Sequence, residues 1–82
     1  MKYQVKFQPK AIKALDKLPT SEKVKIVTKI EALKDDLQGD VKKLTNFTPE
    51  YRLRVGNYRV LFGIEGQTLT IYQIKHRRDV YN

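Results

Sequence analysis

Cysteine is absent from the 82-residue sequence, which excludes disulfides and thiolate metal sites and fits a reducing cytoplasm. Histidine occurs once and the carboxylates are scattered, so no donor cluster with metal-ligand spacing is visible and a metal-dependent mechanism is not expected. No uninterrupted apolar run approaches the ~18 residues of a membrane span, and the opening MKYQVKFQPK lacks the apolar stretch of a signal peptide. These absences point to a soluble, cytoplasmic protein that needs no cofactor and no membrane. Acid is scarce as well: nine Asp+Glu stand against seventeen Lys+Arg, for a formal net charge of +8 and a sequence pI of about 9.8. Such a balance suits a polyanionic partner, whether nucleic acid, a ribosome-like surface or an acidic protein, and it also serves plain solubility.

What remains is one domain, 1–82, large enough to build one modest core. KYQVKF alternates Tyr3, Val5 and Phe7 with polar residues, the pattern of a half-buried strand. Pro9 suits a first helical position, and Ala11, Ile12, Leu15 and Leu18 form the stripe of a short helix that Pro19 closes. Thr20 reads as the N-cap of a second helix with Glu22 in its first turn, and Ile26, Val27, Ile30, Leu33 and Leu37 continue the period toward Gly39. Residues 40–49 read as a packed loop. From Glu50 the period changes to two, and 51–55, 58–64 and 68–75 read as strands. The expected fold is α+β, in βααβββ order: a mainly antiparallel four-stranded sheet with an N-terminal helical hairpin packed on one face.

If Gly56 and Asn57 form a two-residue turn, Val55 pairs with Tyr58, Leu53 with Val60 and Tyr51 with Phe62, which gives one continuous apolar face. Arg54 then lies across from Arg59 on the other face, and Arg52 across from Leu61. Like charges opposed across a ladder cost about 0.2–1 kcal/mol per pair, so folding alone does not ask for them. The arginines are either a solvated outer face or an anion site, since the guanidinium fork binds phosphate with two parallel hydrogen bonds. The segment KHRRDVY adds Lys75, His76, Arg77, Arg78 and Tyr81 beside the strand that carries Arg59. Positive neighbours favour the neutral form of His76, which can act as a base; a surface or structural role is the other reading.

The βααβββ order, the YRLRVGNYRV hairpin and the closing IKHRRDVY together resemble the RelE/ParE superfamily of toxin proteins from toxin–antitoxin pairs, over essentially the whole chain. The resemblance implies a cytoplasmic toxin held inactive by a cognate antitoxin. RelE-like members cleave mRNA in the ribosomal A site without metal, by attack of the ribose 2′-hydroxyl on the adjacent phosphate, whereas ParE-like members inhibit DNA gyrase. Carried over by position, Arg59 and Arg77 would stabilise charge on the phosphate, and Arg52 and Arg54, with Lys75 and Arg78, would hold the RNA backbone. Tyr81 would stack on a splayed base. In RelE-type sites the first two basic positions are lysines, one of them a candidate general base. Here both are arginine, which does not give up its proton. His76, or a Lys75 of strongly lowered pKa, would then have to accept the proton, or the ribosome would complete the site; weak or lost nuclease activity is a further possibility, and so is simple nucleic-acid binding.

Overall fold

A computed structural model describes residues 2–80 of the chain. The alternating N-terminal segment forms β1 (Gln4–Phe7), Pro9 opens α1 (Pro9–Asp16), and α2 runs from Thr20 to Leu33. Then follow β2 (Val41–Lys43), β3 (Tyr51–Val55), β4 (Tyr58–Glu65), β5 (Thr68–His76) and a last short helix α3 (Arg77–Val80). The strands make one sheet in the order β1-β5-β4-β3-β2, antiparallel except for the parallel pair β1–β5.

The sheet thus has five strands rather than the four expected, because part of the 40–49 connector pairs with the edge of β3: Val41 with Leu53, Lys42 with Arg52 and Lys43 with Tyr51. Two helix ends also differ from expectation. Pro19, not Thr20, stands at the N-cap of α2. The helix stops at Leu33, because the start of the chain engages the turn that follows: the Tyr3 N–H donates to the Lys34 carbonyl (3.0 Å), and Lys2 pairs with Asp35 at 2.7 Å. The Lys2 ammonium holds the Asp35 carboxyl below its usual range, first by its hydrogen bond and then by its charge. Asp36 and Leu37 then turn with φ 55° and 58°, which lets the last apolar residue of the stripe reach the core without continuing the helix.

The register of the β3–β4 hairpin matches the expectation pair by pair, with Tyr51 opposite Phe62, Leu53 opposite Val60 and Arg54 opposite Arg59. Gly56 takes φ 55° in the turn, a left-handed conformation that glycine adopts without a Cβ clash. On the apolar side, Leu53, Val60, Phe62, Leu69 and Ile71 pack with Ala11 of α1 and with Ile26, Ile30 and Leu33 of α2. Phe62 is wholly buried, and its ring stacks on Tyr51 at 5.3 Å between centroids. Helices therefore cover one face of the sheet and leave the arginine face to other work. Phe62→Ala should destabilise the fold by about 3–5 kcal/mol, read as a lower urea midpoint at unchanged slope. A loss below about 1 kcal/mol would show that the core does not close around this ring.

Candidate functional site

Paired residues in an antiparallel ladder share a face, so the registers assemble the cationic side of the sheet row by row. Arg54 of β3, Arg59 of β4 and Lys75 of β5 form one row; Lys42, Arg52, Leu61 and Gln73 form the next. Five of the residues in these two rows carry a positive charge. Lys42 was invisible as a member because its segment carries too short a pattern to announce a strand.

The arginines are not equivalent. Arg54 is exposed, whereas Arg52 and Arg59 keep only 8% and 7% of their surface, so a purely solvated face does not describe them. Each buried guanidinium is held by main-chain carbonyls. Arg59 Nη1 donates to the carbonyls of Gly56 and Tyr58, both at 2.9 Å, and so braces its own hairpin turn. Arg52 Nη1 donates to the Asp40 carbonyl at 3.3 Å and lies 3.5 Å from Asp40 Oδ1. The same carboxylate stands 3.7 Å from Arg54 Nε, and the Arg54 N–H donates to the Asp40 carbonyl at 3.0 Å. Asp40 therefore fixes two adjacent arginines from the entrance of β2. In the sequence Asp40 sits in a polar connector, and the one signal that marks it is a carboxylate just ahead of a basic, partly apolar run.

The C-terminal cluster divides. Lys75 pairs with Arg59 and joins the arginine row. His76 pairs with Tyr58, so it belongs to the opposite face, and its ring meets the Tyr58 ring edge-on at 5.4 Å. Its Nδ1 accepts the N–H of Arg78 at 3.3 Å, one of the donors that the first turn of a helix leaves unpaired. His76 thus caps α3, which starts at Arg77. The Arg77 N–H donates to the Asn57 carbonyl at 2.7 Å and ties the same helix to the hairpin turn beside Arg59. Arg77 and Arg78 are exposed there. Tyr81 lies outside the described residues. The arrangement is a cationic sheet face with two arginines fixed by burial, and exposed guanidinium groups such as that of Arg54 have the geometry to donate two parallel hydrogen bonds to an oxyanion.

The family model described as the ParE toxin of the type II toxin–antitoxin system, parDE, matches residues 5–81. The toxin RelE3 of Methanocaldococcus jannaschii is 38% identical over 48 residues, 58% of this chain, and the match spans 54% of that relative, about half its length. Among solved structures, the RelB–RelE antitoxin–toxin complex from Methanococcus jannaschii has a TM-score of 0.76 at 29% identity, over 92% of this chain and 93% of that one. The archaeal RelE–RelB complex from Pyrococcus horikoshii OT3 gives 0.77 at 27%, over 98% and 100%. The RelBE2 toxin–antitoxin complex from Mycobacterium tuberculosis gives 0.80 at 27%, over 94% and 100%.

Two variants test the local geometry. Asp40→Asn should cost about 1 kcal/mol or less, as expected for a half-exposed ion pair, and should tighten polyanion binding at low salt, measured by RNA titration. His76→Ala should speed amide exchange at Arg78, whereas His76→Asn, which keeps an acceptor at the cap, should restore protection; equal exchange in both would remove the capping role.

Proposed function

Because the chain belongs to the ParE toxin family of type II toxin–antitoxin systems, we propose that it is a RelE-like toxin, a ribosome-dependent endoribonuclease that inhibits translation in the cytoplasm. The observation that carries this reading is the row Arg54–Arg59–Lys75, with Arg77 tethered to the hairpin turn next to it. A row of cationic side chains along one face of the sheet suits a strand of phosphates.

In the proposed reaction the 2′-hydroxyl of a ribose in the A site attacks the adjacent phosphate. The P–O5′ bond to the next nucleotide breaks, its oxygen takes a proton from water, and a 2′,3′-cyclic phosphate is formed. Arg54, Arg59 and Arg77 stabilise the charge that builds on the non-bridging oxygens, the largest contribution a metal-free site can make. Arg52, Lys75 and Arg78 hold the neighbouring backbone, and Tyr81 stacks on a splayed base. Arginine cannot take the 2′ proton. With His76 Nδ1 accepting from Arg78, a neutral His76 carries its proton on Nε2 and presents a donor there. We therefore assign His76 to positioning Arg77 and Arg78, and we assign the proton acceptor to the ribosome. The cognate antitoxin would be a protein with an acidic segment that covers the arginine face. The related solved complexes pair a RelE toxin with a RelB antitoxin, which supports a cognate antitoxin partner.

A second reading, inhibition of DNA gyrase, is favoured by the ParE family match and by arginine at both early basic positions. Induced expression with mapping of transcript 5′ ends, run in parallel with a supercoiling assay, separates the two. New 5′ ends inside coding regions with unaffected supercoiling are expected; intact transcripts with blocked supercoiling would reverse the assignment. Arg54→Ala and Arg77→Ala remove exposed side chains, and each should lower cleavage by about 100-fold or more without changing the melting temperature. Arg59→Ala is a poorer test because it also frees the carbonyls of the turn.

A further inference from the structure

Beyond its second row the arginine face changes character. One step further along β4, a cavity of about 200 Å³ opens between the sheet and the segment before β3, lined among others by Pro49, Glu50, Gly63, Glu65, Thr70 and Tyr72. Gly63 pairs with Thr70 and follows Leu61 by two residues, so both belong to the arginine face. The distance from the Arg52 row is about 7 Å at the usual rise per residue, a span that one nucleotide covers.

Each lining group has a consequence for what can enter. A Cβ at position 63 would meet Tyr72 Cε2 at 3.2 Å, so glycine allows the tyrosine ring to lie close against the strand. Tyr72 is 40% exposed, and its ring can stack on an unstacked base, as aromatic side chains do. Two of only nine acidic residues line this cavity. They repel phosphate, which keeps the backbone on the arginine rows and leaves the cavity to a base. The volume is below the ~300–1,000 Å³ of pockets that enclose a whole drug-sized ligand, and it suits a single base.

Carboxylates select among bases by the donors they meet. Guanine presents two adjacent N–H donors, N1 and N2, to one carboxylate; adenine, cytosine and uracil each put a ring or carbonyl acceptor beside their single donor. We infer that this cavity is a guanine-preferring base subsite, one nucleotide from the phosphate clamp, with Tyr72 as stacking platform and Glu50 or Glu65 as acceptor. The inference rests on the RNA-cleaving reading for its biological use, but the binding event can be measured apart from cleavage.

The test titrates the purified chain with GMP, AMP, CMP and UMP, following backbone amide resonances, and maps transcript cuts for the same variants. GMP should shift Gly63, Thr70 and Tyr72 and bind about tenfold or more tighter than AMP. Glu50→Gln or Glu65→Gln should erase that preference and reduce the share of cuts next to guanosine, and Tyr72→Ala should weaken all four nucleotides. Equal binding of the four, or a preference that survives in both glutamine variants, overturns the subsite. GMP selectivity in a chain that cuts no transcript would uphold the subsite and sink the nuclease reading alone.

Discussion

Everything on this sheet depends on the parity set by a two-residue turn. Residues 56 and 57 close the hairpin, and that length decides which side chains of β3 and β4 share a face. A turn longer by one residue would shift the pairing by one, set the Leu53 and Val60 side of one strand against the arginine side of the other, and leave neither face whole. The core and the cationic face are therefore one choice, made by Gly56 and Asn57. The core enforces it, since Phe62, Leu53 and Val60 are wholly buried on one side only. The opposed Arg54 and Arg59 are a cost of about 0.2–1 kcal/mol that the same register imposes.

The fold limits that cost by treating its arginines differently. Arg59 turns its Nη1 onto two carbonyls of its own hairpin, and Arg52 and Arg54 share Asp40. Burying a cation without partners is expensive, and among the described residues no buried side-chain polar atom lacks a partner. Arg54 and Arg77 stay exposed, so the face combines fixed charge with reachable charge. That combination suits an electrostatic clamp, where donors already held in place need not reorganise on binding.

The hairpin could be read from the sequence because every signal that set it was local: a turn of glycine and asparagine, then alternation with a period of two on both sides. The two main helices were visible in the same way, through the stripes of Ala11 to Leu18 and Ile26 to Leu33. What escaped reading was non-local or made by the main chain. Strand β2 is three residues long with two lysines, and it is a strand only because β3 offers it an edge. The end of α2 is set by Lys2 and Tyr3, more than thirty positions away. The burial of Arg52 and Arg59 and the capping by His76 use carbonyls or an amide that any residue could supply, so no side-chain pattern marks them. The alternation thus placed Arg52, Arg54 and Arg59 on one face, and the main chain decided how each is held.

The parallel pairing of β1 with β5 carries a consequence for synthesis. Among the described residues β1 pairs with β5 alone, residue 5 opposite residue 69, so the first strand waits, unpaired, until β5 has been made. Long-range pairing of this kind is slow to form and completes late. A nascent chain of this protein therefore carries its basic hairpin before it has a finished sheet to hold it. If the folded sheet is what harms the cell, the topology postpones that harm until β5 has been made and gives a co-expressed partner time to be present.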